Sequence, residues 1–283
     1  MKIMKRPFSI WLYVFIVFTL TWPFQFWYVF KAHSAFDRYA YSSLPMVMVA
    51  VATVIAARFV FKDGLAGAGY HWGKPVHYVC VVLFALLNWL VPSMIELLSG
   101  MHKPIAHVVV ADIFLNFLLR FGGTLLPAFG EEFGWRGYML PRLAAQYGAR
   151  KGLLLHAFIW WFWHLPVIVG LGSKTNDLTS VPSANVALLV LITIIPSMLH
   201  AVIFAFIWAK TKSLAVSTVY HTAFDEVRDA LENSVGFGPL VNLWQMAVVI
   251  IAGGLLLRKA NWSSLLGNEA FLRLAVDRKF IVN

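Results

Sequence analysis

The sequence predicts an all-α protein, a polytopic bundle of about eight transmembrane helices. Of its 283 residues, 60% are hydrophobic and only 13% are charged, a balance far from that of soluble domains. Apolar runs recur at about the 20-residue length that a bilayer core requires, and the Lys and Arg residues are distributed unevenly among the loops between them. We expect one integral membrane domain covering residues 1–283.

The apolar windows define the expected helices in order along the chain. The basic start of the chain resembles a signal peptide, but the run behind it is long enough to span and has no obvious cleavage site. We therefore interpret it as a retained first helix. The windows fall at residues 9–30, 43–61, 76–98, 105–143, 152–171, 184–209, 213–232 and 239–257.

Two of these windows differ from simple spans. A helix over 105–143 would be roughly 58 Å long, nearly twice the hydrocarbon thickness. We predict a break at Gly122, Gly123 and Pro127, which leaves open whether residues 105–121 form a full span or a re-entrant segment. The window 213–232 contains several ionisable side chains, which must face protein or water.

The distribution of basic residues predicts the orientation. With the N-terminus in the cytoplasm, most of the 23 Lys and Arg residues lie on that side, as the positive-inside rule requires. We expect a multi-pass protein of a bacterial cell membrane, with both termini cytoplasmic. The same distribution explains the formal charge of +10 without a nucleic-acid partner. Cys80 is the single cysteine, which excludes an intramolecular disulfide and a Cys-based metal cluster.

The first group of candidate functional residues lies inside apolar sequence, at Gly130-Glu131-Glu132-Phe133-Gly134-Trp135-Arg136. Unpaired charges there cost several kcal/mol, so they are functional candidates. Glu132 and Arg136 have the i, i+4 spacing of an ion pair, whereas Glu131 points about 100° away and can face a cavity. The alternative is that all three form a structural ion-pair network.

Two further groups contain histidine. His164 follows a run of aromatic residues, and His221 precedes Asp225 by one helical turn. Each has a plain structural explanation, as a packing histidine and as a ring oriented by a carboxylate. Counted from the expected cytoplasmic helix ends, however, Glu131, His164 and His221 lie at about the same depth, roughly 12–18 Å into the membrane. This common depth favours a shared site.

A third polar feature is a stripe of Asp112, Asn116 and Arg120, spaced four residues apart on the predicted helix before Glu131. We expect it to hydrogen-bond inside the bundle.

Together, Glu131-Glu132-x-x-x-Arg136, His164 before Leu165-Pro166, and His221-x-x-x-Asp225 resemble the three-motif signature of the CPBP (CAAX protease and bacteriocin-processing) family. This family, also called Abi, includes the type II CAAX prenyl endopeptidases. The resemblance covers residues from about 125 to 226 and implies a protease-like core at about 105–257. Two positions depart from the family pattern: Trp160 stands in place of Phe, and Asp225 in place of the Asn found in the prenyl endopeptidases.

The resemblance implies an intramembrane endopeptidase whose substrate is a membrane-associated peptide or lipidated protein. Glu131 would activate a water shared with His164, and His221 would polarise the scissile carbonyl. The implied catalytic residues are Glu131, His164, His221 and Asp225. Glu132 and Arg136 would support these residues without contacting the substrate themselves.

Metal dependence and function class both stay open at this stage. His164, His221 and Asp225 are also the residue types of a three-ligand zinc site, so a divalent metal such as zinc is one version of the chemistry. The alternative functions are a catalytically silent immunity or scaffold protein and an ion-coupled transporter. The substrate and the oligomeric state are not determined by the sequence.

Overall fold

The computed structural model describes residues 9–31, 35–103, 110–173 and 183–267. It is 87% helical, and no strand occurs in these residues, which confirms the all-α prediction. The α-helices are α1 Ile10–Lys31, α2 Ala35–Ile55, α3 Pro75–Leu98, α4 Val110–Glu132, α5 Leu140–Tyr147, α6 Ala149–Trp163, α7 Leu165–Ser173, α8 Ser183–Thr211, α9 Leu214–Ser234, α10 Val241–Lys259 and α11 Trp262–Leu266.

Six helical segments within the described residues are long and apolar enough to cross a membrane. They correspond to six of the eight predicted windows and agree roughly with the predicted number. The other two windows are helical but less regular. The window 152–171 is divided into α6 and α7 at His164, and α9, which fills the window 213–232, contains five acidic or basic side chains. Many large apolar side chains on the outer surface are exposed, as lipid contact requires.

The predicted break at Gly122, Gly123 and Pro127 is wrong. The helical segment is continuous over Val110–Tyr147, 38 residues, and α4 passes through all three positions. Buried Pro127 is tolerated because neighbouring helices can enclose the distorted backbone. The irregularity comes later, where Phe133–Met139 forms a π-helical stretch directly after Glu132. A helix of about 57 Å exceeds the bilayer core, so it must tilt or extend beyond it. Residues 104–109, at the start of the predicted window, lie outside the described residues.

Helices α4 and α9 share an extensive interface. Helix α9 packs against α3, α4 and α8, while α4 also packs against α2. Four side-chain contacts run down the α4–α9 interface: Asn116 with Ser234, Arg120 with Asp229, Thr124 with Glu226, and Glu132 with His221. Along these four pairs the residue number rises on α4 and falls on α9, so the two helices are antiparallel. This register brings the first and third sequence motifs together.

Candidate active site

Two glycines flank the paired glutamates and allow another helix to approach them closely. A Cβ at Gly130 would collide with the backbone of Met46, and one at Gly134 would collide with the side chain of Val49. Both neighbours belong to α2. Tyr13 of α1 also donates a hydrogen bond to the Gly134 carbonyl at 3.1 Å. Gly130 and Gly134 are four residues apart and therefore lie on one helix face. The close approach of α2 to this face fixes the rotation of α4 about its own axis.

Glu132 is the centre of a buried ion-pair group. Its Oε1 accepts hydrogen bonds from Arg136 Nη1 at 2.9 Å and from His221 Nδ1 at 3.0 Å. Glu132 and Arg136 are completely buried. The predicted i, i+4 pair is therefore present. The contact with His221 was not predicted, because spacing along one helix says nothing about which residue of another helix it meets.

The environment of Arg136 is unusual for a buried guanidinium. Its Cζ lies 4.2 Å from the centre of the Phe204 ring and 4.7 Å from that of Trp160. Arg136 Nε and Nη2 and Glu132 Oε2 are buried and have no hydrogen-bond partner among the described residues. Aromatic faces offset part of the cost of this positive charge, but the polar atoms are not fully satisfied.

Glu131 has a different environment from its neighbour. Its side chain is also buried, with 2% of the residue exposed, but it does not pair with Arg136. Its Oε2 accepts one hydrogen bond, from Trp160 Nε1 at 3.1 Å. The two adjacent carboxylates thus point to different partners, as the 100° rotation between successive helical residues requires.

Trp160 also connects Glu131 to the second motif. The Trp160 carbonyl accepts a hydrogen bond from His164 Nδ1 at 2.8 Å, and the two rings are in edge contact. With Nδ1 donating, the Nε2 of a neutral His164 is left as an acceptor. His164 is half-buried, and it caps the end of α6. The sequence had indicated Trp160 only by its departure from the Phe of the family pattern. Its indole N–H, which Phe lacks, makes the hydrogen bond to Glu131.

Asp225 lies on the other side of His221. Its Oδ2 is 3.5 Å from His221 Nε2, and its Oδ1 accepts a hydrogen bond from Arg228 Nη1 at 3.2 Å. The predicted proximity of His221 and Asp225 is therefore present, but Arg228 was missed. The sequence did contain an indication of this pair, because a basic residue three positions after an acidic one on a helix is spaced to pair with it.

The geometry gives little support to a metal site. Within the described ranges, no group of three or more His, Cys, Asp or Glu side chains is arranged to hold a metal ion. His221 Nδ1 is bonded to Glu132, and its Nε2 lies 3.5 Å from Asp225 Oδ2, but His164 does not join these two side chains in a group of three. The candidate set of His164, His221 and Asp225 does not fit a zinc ion in this arrangement.

An apolar cleft of about 640 Å³ lies between α4, α9 and the segment that precedes α3. Thr218, one turn before His221 on α9, lines it and is the polar side chain nearest in sequence to the site. Burial raises the pKa of the Tyr70 hydroxyl in its wall, so this hydroxyl stays protonated at neutral pH. The other lining residues include Trp72, Tyr78, Phe121, Leu125, Phe129 and Ala215.

Comparison with known proteins agrees with this geometry. Residues 112–227 match the family model described as type II CAAX prenyl endopeptidase, Rce1-like. The predicted resemblance is confirmed. The Rce1-like segment contains all three motifs, from α4 to α9. A CAAX prenyl protease 2 of Methanococcus maripaludis is 43% identical over 44 residues, which is 16% of this chain and 16% of that protein. The aligned stretch thus spans a small part of that relative.

Proposed function

We propose that this protein is an intramembrane endopeptidase in which Glu131 activates a water molecule. The observation that carries the proposal is the unequal environment of the two adjacent glutamates. Glu132 is neutralised by Arg136 and oriented toward His221, whereas Glu131 has a single hydrogen bond within the described part of the chain, from Trp160. A carboxylate with so few partners in a buried site is suited to accept a proton from water.

In the proposed reaction, each of these side chains has one role in the hydrolysis. Glu131 removes a proton from a water that also hydrogen-bonds to His164 Nε2, and the resulting hydroxide attacks the scissile carbonyl carbon. In its doubly protonated form, His221 donates from Nε2 to the developing oxyanion, while Glu132 holds Nδ1. Glu131 then returns its proton to the leaving amine as the C–N bond breaks. Asp225 lies beside this imidazole rather than on the water.

The apolar cleft suggests the chemical class of the substrate. Its walls are mostly aliphatic and aromatic, and two of them are formed by α4 and α9, the helices that bear the glutamates and His221. Hydrophobic burial favours a lipid chain there by about 25 cal/mol per Å². We propose that the substrate is a prenylated or otherwise lipidated protein, with its lipid in the cleft and its peptide near Glu131.

The catalytic proposal is tested by Glu131→Gln, with Glu226→Gln as the matched control. Both residues are buried, but Glu131 is bonded to Trp160 of α6 whereas Glu226 is bonded to Thr124 of α4. Purified proteins are compared on a library of membrane peptides with and without a prenyl group. Glu131→Gln should lower turnover by about 10²- to 10⁴-fold, the usual contribution of a general base, while Glu226→Gln stays near wild type. Equal turnover by wild type and Glu131→Gln would contradict the assignment of Glu131 as the base, whereas a wild type without turnover would favour a scaffold or a transporter.

The substrate proposal has its own test in Ala215→Phe, which narrows the cleft without touching the three motifs. The KM for a prenylated peptide should rise at least about tenfold, since part of the apolar contact is lost. The KM for the same peptide without its lipid should be unchanged. An equal effect on both peptides would contradict the lipid assignment and leave the endopeptidase proposal intact.

Metal dependence is tested on the same proteins. We propose a metal-free mechanism, for which fully active protein should contain almost no bound metal by elemental analysis. If Asp225 ligates a metal, Asp225→Asn lowers metal content and activity together. Bound zinc near one equivalent, lost together with activity on chelation, would replace this mechanism with the metal-assisted one.

We also propose that both termini are cytoplasmic, as the distribution of basic loops indicates. Reporter fusions at each end test this orientation. An external signal from either end would contradict the predicted number of spans, most directly the assignment of α9 as a full span.

A further inference from the structure

A row of charged side chains continues from Asp225 along the α4–α9 interface, and the proposed reaction does not use it. Arg228 Nη1 donates to Asp225 Oδ1 at 3.2 Å, and Arg228 Nε donates to Asp229 Oδ1 at 2.7 Å. Asp229 Oδ2 in turn accepts from Arg120 Nη1 at 3.0 Å. Charges of opposite sign therefore alternate from half-exposed Arg120 to the imidazole of His221.

The two oxygens of Asp225 have different roles in this row. Oδ1 is bound by Arg228, whereas Oδ2 lies 3.5 Å from His221 Nε2, longer than a normal N–H···O hydrogen bond. The carboxylate is thus held beside the imidazole without being bonded to it. Asp225 is 23% exposed, so its side chain has room to move. Without Arg228, a small rotation would bring a full negative charge onto Nε2 and occupy the hydrogen that the scissile carbonyl needs.

We propose that Arg228 is a positioning residue that holds Asp225 off His221 and offsets its charge, so that His221 Nε2 stays available to the substrate oxygen. This inference rests on the proposed endopeptidase function. Arginine suits this role because its Nη1 and Nε bind two carboxylates at once, in a geometry fixed by the planar guanidinium. The ammonium group of lysine is a single point charge without this fixed geometry.

The proposal predicts that Arg228 matters only while residue 225 carries a charge. Turnover is measured for wild type, Arg228→Ala, Asp225→Asn and the double variant. Arg228→Ala should lower kcat at least about tenfold with little change in KM, because the loss affects the transition state. In the Asp225→Asn background the same change should cost less than about threefold, since a neutral amide needs no offset.

Arg120→Ala is the matched control. It removes a positive charge and one partner of Asp229 from the same row, but it has no contact with Asp225. We expect less than a twofold change in kcat. Arg228→Lys should lie between wild type and Arg228→Ala. An equal loss on Arg228→Ala in both backgrounds would indicate a purely structural role through Asp229, and an inactive Asp225→Asn protein would show that the charge itself is required. Either result overturns the proposal.

A structural measurement separates this inference from the catalytic proposal. In an experimental structure of Arg228→Ala, the distance from Asp225 Oδ2 to His221 Nε2 should contract from 3.5 Å to about 2.8 Å. If the contraction is seen but wild type hydrolyses no substrate, the positioning stands and the proposed function fails. If the distance does not change, the positioning proposal is wrong whatever the turnover.

Discussion

The two ends of the α4–α9 interface both contain polar and charged side chains, but these differ in burial and in how completely they are hydrogen-bonded. At the distal end, Asn116 bonds to Ser234 and Arg120 to Asp229, and these side chains are partly exposed. At the site end, Glu132, Arg136 and His221 are almost completely buried, and three of their polar atoms lack partners among the described residues. Contacts between partly exposed side chains, as at the distal end, are enough to stabilise a helix pair. Incompletely satisfied buried charges are costly to retain, and this cost is one reason to place the proposed reaction at the site end.

The largest difference between the two ends should be in stability. Glu132→Gln should lower the free energy of unfolding by about 3–5 kcal/mol, because it leaves the Arg136 charge buried without its counter-ion. Arg120→Ala at the distal end should cost no more than about 1 kcal/mol, as expected for an exposed ion pair. Unfolding in detergent measures both. Similar losses at the two ends would contradict the distinction drawn from burial.

A second comparison concerns cooperation between residues at the site end. His221→Ala and Asp225→Ala should each lower kcat, by about 10²-fold or more for His221. Combined, they should cost far less than the product of the single losses, because Asp225 affects the reaction only through the imidazole of His221 beside it. Steady-state kinetics of the four proteins gives the coupling directly. Fully multiplicative losses would show that His221 and Asp225 do not share a role.

Packing should differ between the ends as well. Gly134→Ala places a methyl group against Val49 and Thr53 and should destabilise the protein by about 1–3 kcal/mol. Gly122 lies nearer the distal end, where a methyl group would meet no atom of the described residues within 4 Å. Gly122→Ala should therefore stabilise the protein by about 0.4–1 kcal/mol through the unfolded chain. Thermal unfolding distinguishes the opposite signs. A neutral Gly134→Ala would show that α2 can move away without cost.

The smallest expected effect on turnover sharpens the assignment of Glu131. Trp160→Phe removes the N–H that Glu131 accepts, and it should lower kcat about tenfold, the equivalent of one hydrogen bond of about 1.4 kcal/mol. Trp163→Phe is the control, since it removes an equivalent N–H on the same helix, one that donates to Thr21 at 2.8 Å. Its kcat should stay near wild type. Equal losses in the two variants would indicate general packing rather than support of Glu131.

Local patterns in the sequence were enough to predict the helical class, the approximate span positions and the residues that carry charge into the membrane. Hydropathy and the i, i+4 rule act within one helix, so they predicted the pairing of Glu132 with Arg136 and the proximity of His221 to Asp225. Local rules failed where neighbouring helices decide. Pro127 and two glycines predicted a break that does not occur: α4 continues through all three positions, and Pro127 lies on the part of the helix that is buried against its neighbours.

The contacts between residues of different helices, in contrast, followed only from the assembled bundle. The contacts of Glu132 with His221 and of Trp160 with Glu131 join residues that are 89 and 29 positions apart in the chain. Each depends on the rotation and depth of two helices, and these are set by close packing at Gly130 and Gly134 and by the antiparallel register of α4 and α9. Periodicity places a side chain on a face of its own helix, but the partner of that face is a property of the whole bundle.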